Sequence, residues 1–119
     1  MRNFRDLDIW NESIKLVGKI YKLTGALPTS EKFGLISQMK RCAVSIPSNI
    51  AEGCSKDSQK NFTRFLQIAL GSAFELETQL EICLELDFLT KKNVSEIISE
   101  IITLQKRMKA LINYAQQKQ

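Results

Sequence analysis

Apolar residues recur every three or four positions in four stretches of the chain. The first stretch shows this spacing at Leu7, Trp10, Ile14, Val17 and Tyr21. Such spacing places side chains on one face of an α-helix, so it predicts an amphipathic helix that buries this face. We expect Asp6 to cap the start of the helix, and Gly25 with Pro28 to end it.

A second helix is predicted over residues 30–51, although Pro47 lies inside it. The apolar spacing keeps one register before and after the proline, at Ile36, Met39, Ala43, Ile46 and Ile50. A proline inside a helix removes one backbone hydrogen bond and crowds the preceding turn, at a cost of about 3 kcal/mol. The sequence therefore predicts a continuous helix that is kinked at Pro47 and stops at Gly53.

Two further helices are predicted from about Ser58 and from about Thr90. No segment has the pattern of a β-strand. Because short connections join the four helices, the predicted fold class is all-α. The expected architecture is an antiparallel up-down-up-down four-helix bundle, with residues 1–119 forming a single domain.

Aromatic and small residues refine the predicted packing. The helical spacing assigns five aromatic side chains to the core, namely Trp10, Tyr21, Phe62, Phe65 and Phe74. The small residues of the third helix cluster at Ala69, Gly71, Ser72 and Ala73. This cluster indicates either a close approach by another helix or a locally thin core.

The chain contains no histidine, which removes the commonest general base and the commonest transition-metal ligand. Its three cysteines, Cys42, Cys54 and Cys83, lack paired metal-ligand spacing, so we expect reduced thiols in or near the core. We therefore predict no enzyme, no cofactor and no metal site. Because no signal peptide or long apolar run is visible, we expect a cytoplasmic protein without a membrane partner.

The net charge of +4 gains meaning from the predicted topology. An antiparallel bundle would gather eight basic residues at one end, and these are the candidate nucleic-acid-binding residues: Arg2, Arg5, Lys56, Lys60, Arg64, Lys106, Arg107 and Lys109. Lys56, Lys60 and Arg64 follow one another at four-residue spacing, which suits contacts to a phosphate backbone. A solvated helix face is the alternative interpretation. A second ladder, Lys15, Lys19 and Lys22, lies apart from this cluster.

The second helix also carries a stripe of small and polar residues opposite its apolar face. Its members are Arg41, Ser45, Ser48, Asn49 and Glu52. A catalytic serine would need a base, and Glu52 is the nearest candidate on the same helix, which makes serine catalysis an unfavourable interpretation. Small side chains let a second copy approach, so we interpret the stripe as an oligomer interface.

The segment SIPSNIAEG resembles the central motif of the four-helix bundle proteins encoded by intervening sequences in bacterial 23S ribosomal RNA genes. FRDLDIW, LPTSEKFGLISQMKR and FLQIALGSAFELETQLEI extend the resemblance over nearly the whole chain. The positions that match the motif are Arg41, Ser45, Ile46, Pro47, Asn49, Ala51, Glu52 and Gly53.

This resemblance implies both an assembly and a set of partners. The family includes the accessory variability proteins of diversity-generating retroelements, and its members look like bundles that form pentameric rings. That accessory branch binds a reverse transcriptase and nucleic acid. We therefore expect a homopentamer whose partners are RNA or single-stranded nucleic acid, or a reverse transcriptase. The alternative function is a protein-protein scaffold or adaptor with no nucleic-acid role.

Overall fold

Four helices dominate the computed structural model, which describes residues 1–118. They are α1 (Asp8–Thr24), α2 (Leu35–Cys54), α3 (Gln59–Glu85) and α4 (Lys91–Gln116), and two 3-10 turns occupy Phe4–Asp6 and Thr29–Glu31. No strand occurs among the described residues. The all-α four-helix prediction is therefore confirmed, while Gln119 of the predicted domain lies outside the described residues.

Each helix packs against the next one along the chain, and α1 also packs against α4. Arg107 of α4 forms an ion pair with Glu12, near the start of α1. Lys19, seven residues later on α1, pairs with Glu100, which precedes Arg107 on α4. Because the order of contacts reverses between the two helices, it is consistent with the predicted antiparallel arrangement.

The core lies where the apolar faces of all four helices meet. Its largest fully buried side chains are Ile20, Met39, Ile46, Ile50, Phe62, Leu66, Leu76, Leu80, Ile101, Leu104, Met108 and Ile112. Of the five aromatic residues assigned to the core, two are exposed: Tyr21 at 47% and Phe74 at 54%. That part of the prediction is wrong because three- and four-residue spacing also includes positions at the edge of a helix face, which the neighbouring helices do not cover.

Two predicted helix starts differ from the structure. Asp6 does not cap α1, because it belongs to the preceding 3-10 turn and α1 begins at Asp8. The second helix begins at Leu35 and not near Ser30, because Thr29–Glu31 forms a separate 3-10 turn. Glu31 then accepts a hydrogen bond from the Leu35 backbone N–H, at 3.3 Å, and satisfies one amide of the new helix start.

The helix that contains Pro47 is continuous through the proline, and it ends at Cys54 rather than at Gly53. The bend at Pro47 stays a prediction. Gly53 is buried, and its role is to allow contact with α3. A Cβ atom at this position would lie 3.0 Å from the Phe65 Cβ and 3.2 Å from the Phe62 carbonyl oxygen. The last turn of α2 can therefore rest on the first turns of α3 only because this residue has no side chain.

We predict that Gly53→Ala lowers the free energy of unfolding by about 1–2 kcal/mol, because the steric penalty in a packed interior exceeds the gain in helix propensity. Gly18→Ala is the matched control, since a Cβ there meets nothing within 4 Å. It should instead raise stability by about 0.5–1 kcal/mol. Urea unfolding followed by circular dichroism measures both values, and equal effects at the two glycines would contradict the packing role of Gly53.

Candidate nucleic-acid and subunit interfaces

The N-terminal residues are held against the junction of α2 and α3. The Arg2 backbone N–H donates to the Cys54 carbonyl oxygen at 2.9 Å. The guanidinium of Arg2 lies 3.8 Å from the centre of the Phe62 ring and hydrogen-bonds to the Gln59 side chain. These contacts bring a cation from the start of the chain to the first turn of α3.

Three more predicted cations lie at the same junction, and two of them lie over the half-buried ring of Phe65. The Lys56 ammonium lies 5.2 Å from the ring centre, and the Arg64 guanidinium lies 6.0 Å from it. Lys60 is exposed on the first turn of α3. Lys56 precedes α3 and does not lie on it, so the predicted three-step ladder is wrong in detail, because a turn and not a helix carries its first member.

We call Arg2, Lys56, Lys60 and Arg64 the basic corner. None of them takes part in the ion pairs found among residues 1–118. The nearby Asp57 is 3.9 Å from the N-terminal amine, which offsets its charge. The basic corner therefore presents a positive surface that is not neutralised within the chain.

The other predicted nucleic-acid-binding residues lie elsewhere. Arg5 lies over the rings of Phe4 and Trp10, at 4.8 and 6.0 Å from their centres. Its partners are on the α1 side of the N-terminal segment. Arg5 therefore has ring contacts with Phe4 and Trp10, and none with Phe65 is found among residues 1–118.

Three predicted cations of α4 also lie away from the end of the bundle, namely Lys106, Arg107 and Lys109. The adjacent Gln105 donates a hydrogen bond to the Ala73 carbonyl oxygen, at 3.4 Å. Ala73 is nine residues beyond Arg64 on α3, about 13 Å along the helix axis. These three cations therefore lie between the middle of the bundle and the basic corner, and not at the end itself, because α4 continues past them to Gln116.

Two residues of the predicted oligomer interface make contacts within the chain. The hydroxyl oxygens of Ser45 and Ser72 are 2.9 Å apart, across the seam between α2 and α3. The Asn49 side-chain amide donates to the Ser45 carbonyl oxygen at 2.8 Å and to its hydroxyl at 3.0 Å. The polar stripe thus does not point wholly outward, and the small residues around Ser72 permit a close approach within the chain.

The remaining members of that interface are exposed on α2, and they are Arg41, Ser48 and Glu52. Arg41 donates to the Ser37 hydroxyl at 2.9 Å. Ser48 lies on the rim of an open groove of about 380 Å³ between α1 and α2. The groove is otherwise apolar, with the lining residues Phe4, Trp10, Ile14, Val17, Val44, Pro47 and Ala51. We call it the α1–α2 groove.

A second exposed apolar surface lies on α3. It consists of Ile68, Gly71, Phe74, Thr78 and Ile82, which recur at three- and four-residue spacing on the side opposite the core. We call it the α3 stripe. Sequence reasoning missed both apolar surfaces because it assigned some of their residues, such as Trp10 and Phe74, to the core and gave others, such as Val44 and Ile68, no role. The sequence did contain a signal for these surfaces: the apolar faces of the helices are wider than contact with one neighbouring helix can cover.

The three cysteine thiols are free and buried, as predicted. Burial raises the pKa of Cys42 to about 12, and the nearby Glu75 carboxylate adds to this rise. Burial also raises the pKa of Cys54 and of Cys83. A thiol with a raised pKa stays neutral near pH 8 and is a poor nucleophile.

Neither metal ligation nor membrane insertion is indicated for residues 1–118. These residues contain no group of three or more potential metal-ligating side chains. None of the helices within them combines the length and apolar character needed to cross a bilayer.

Fold and surfaces together define the class: a small four-helix bundle with one cationic and two apolar exposed surfaces. The chain belongs to the 23S rRNA-intervening sequence protein family, whose model matches residues 5–110. A crystal structure of a protein of unknown function from the S23 ribosomal protein family of Bacteroides thetaiotaomicron VPI-5482 is 27% identical. It superimposes with a TM-score of 0.81 over 87% of this chain and 97% of the other. Among curated proteins, none shows significant similarity.

We predict that the native thiols resist alkylation by iodoacetamide at pH 8. A pKa near 12 makes the thiolate fraction of Cys42 on the order of a thousandfold smaller than that of a free cysteine. Mass spectrometry should find all three cysteines modified only after unfolding in urea. Ser95→Cys places a thiol on the exposed face of α4 and serves as the positive control. Rapid native labelling of Cys42 would refute the expectation.

Proposed function

We propose that this protein is a non-enzymatic, homo-oligomeric four-helix bundle that binds RNA or another single-stranded nucleic acid, alone or within a ribonucleoprotein. The observation that carries the proposal is the basic corner, where four cations remain free of ion pairs and two of them, Lys56 and Arg64, lie over the half-buried ring of Phe65. Phosphate contacts by such cations release counterions and require no base recognition. The proposed binding is therefore electrostatic and nearly independent of sequence.

Self-assembly is proposed through the two apolar surfaces. Ser45 contacts Ser72, so the groove residues Val44 and Ser48 lie at the same level along the bundle as Gly71 and Phe74 of the α3 stripe. In a cyclic oligomer all subunits point in the same direction, and surfaces at one level meet. The α3 stripe of one copy is therefore proposed to occupy the α1–α2 groove of the next, with Phe74 inserted against Val44.

The charged residues of α2 and α3 also support this alignment of the groove with the stripe. Cys42 of α2 lies beside the Glu75 carboxylate of α3, so the adjacent Arg41 lies close to the level of Glu75. In-register packing therefore sets Arg41 of one copy near the level of Glu75 of the next, which favours this pairing over a shifted one. We propose a closed ring, with the pentamer as the expected stoichiometry.

A protein-protein scaffold is the second candidate function. The α1–α2 groove has the apolar lining and the length along two helices that an amphipathic helix of another protein would need. In this alternative the basic corner docks an acidic protein surface. The two candidates differ in whether the bundle binds nucleic acid by itself.

We predict micromolar binding of single-stranded RNA with little base preference. Contacts to about four phosphates would give a slope of about −3 in a plot of log affinity against log salt concentration. Fluorescence anisotropy with a labelled RNA over a salt series measures both quantities. The Lys60→Glu, Arg64→Glu double variant should abolish binding without unfolding the bundle, since both side chains are exposed.

The matched control for this experiment is Lys91→Glu, Lys92→Glu, which changes the charge equally at the start of α4. It should bind RNA within about twofold of the wild type, apart from the general loss of positive charge. Equal weakening by the two double variants would argue against a localised site. No binding at low salt would favour the scaffold function.

We predict that Val44→Glu and Phe74→Glu each abolish ring formation, because each places a charge in a desolvated apolar contact. A mixture of the two variants should form a one-to-one dimer, since the intact stripe of Val44→Glu fits the intact groove of Phe74→Glu. Light scattering at tens of micromolar measures the masses. A monomeric wild type would disprove self-assembly, and an unaffected ring in either variant would disprove this interface.

A further inference from the structure

The seam between α1 and α4 contains a second cleft, distinct from the α1–α2 groove. Two ion pairs cross this seam, Glu12 with Arg107 and Lys19 with Glu100. Seven residues separate Glu12 from Lys19, so the two crossings are about 10 Å apart along α1. Between them the helices enclose a cleft of about 280 Å³. The ion pairs thus mark the two ends of an opening in the side of the bundle.

The lining of this cleft combines an apolar floor with polar walls. Leu16 of α1 and Leu104 of α4 are almost fully buried and form part of the floor. Ser99 and Thr103, one helical turn apart on α4, line the cleft, and neither hydroxyl has a hydrogen-bond partner within residues 1–118. Ligand sites commonly pair such an apolar surface with a few convergent polar groups.

A single unpaired cation completes the cleft. Lys15 lies between the two crossings and takes part in none of the ion pairs found among residues 1–118. The two carboxylates of the lining, Glu12 and Glu100, are each neutralised by their own partner at the ends. The lining therefore carries one net positive charge, and Lys15 supplies it near the middle.

We infer that the α1–α4 cleft binds one nucleoside 5′-phosphate unit. The flat apolar face of a base packs on Leu16 and Leu104, the phosphate contacts Lys15, and the ribose or base edge hydrogen-bonds to the hydroxyls of Ser99 and Thr103. The volume of about 280 Å³ lies just below the range of about 300–1,000 Å³ typical of small-molecule sites, so the bound nucleotide stays partly exposed to solvent.

The inference does not depend on RNA binding at the basic corner. A free mononucleotide and one nucleotide of an RNA strand share the proposed chemistry, and an experiment can separate these sources. ¹⁵N-resolved NMR spectra of the wild-type protein are recorded during titration with AMP and, separately, with a short oligoadenylate. Amide shifts at Leu16 and Thr103 report on the cleft, and shifts at Lys60 and Arg64 report on the basic corner.

AMP should shift the amides on both sides of the cleft, and adenosine and inorganic phosphate should each bind at least fivefold more weakly. If oligoadenylate shifts the same amides and binds more tightly than AMP, the natural ligand of the cleft is one nucleotide of an RNA strand. If AMP binds there and oligoadenylate does not, the natural ligand is a free nucleotide. Phosphate binding as strong as that of AMP would overturn the inference, since the apolar floor would then contribute nothing. Shifts confined to the basic corner, or no shifts at all, would also overturn it.

Two variants and a control test the assignment to named residues. Lys15→Glu should weaken AMP binding at least tenfold, and Thr103→Phe should do the same by filling the opening. Lys22→Glu makes the same charge change on the exposed face of α1, outside the cleft, and should leave the affinity within twofold of wild type. Circular dichroism confirms folding. Equal affinities for Lys15→Glu and Lys22→Glu would refute the site.

Discussion

The close packing of α2 on α3 is the contact on which the other surfaces depend. At one end Gly53 lets the helix backbone approach Phe62 and Phe65, and in the middle Ser45 meets Ser72. Small residues on both helices make this approach possible, because a larger side chain would have to displace packed atoms. The same contact fixes the positions of the α1–α2 groove and the α3 stripe along the bundle axis. It also brings the end of α2 next to the start of α3, where the basic corner lies.

This packing gives the central motif SIPSNIAEG a physical explanation that does not require catalysis. Ile46 and Ile50 enter the core, Ser45 hydrogen-bonds to Ser72 of α3, and Gly53 permits the close approach. Asn49 donates to Ser45 within α2. The motif therefore encodes one face for the core and one for the neighbouring helix. Its exposed members remain available for contacts with other molecules.

Different parts of the outer surface of the bundle differ in charge and polarity. The basic corner carries four cations without ion pairs, the two apolar surfaces lie at matching levels on different helices, and two ion pairs cross the α1–α4 seam on either side of its cleft. Ion pairs between exposed side chains contribute little to stability, with a median of about 0–1 kcal/mol. The α1–α4 seam can therefore remain open at its middle without much loss of stability, while the α2–α3 seam cannot.

The sequence by itself determined the number and order of the helices, the continuity of the second helix through Pro47, and the free, buried cysteines. These features follow from local periodicity, which is readable along one chain segment. Only the tertiary structure decided which apolar positions stay exposed, such as Phe74, and that Lys106 lies far from Arg64. When the apolar face of a helix is wider than its contact with the neighbouring helices, the residues at the edge of that face stay exposed. The position of a residue along the bundle axis depends on how the neighbouring helices align. Both are properties of contacts between segments that no single segment contains.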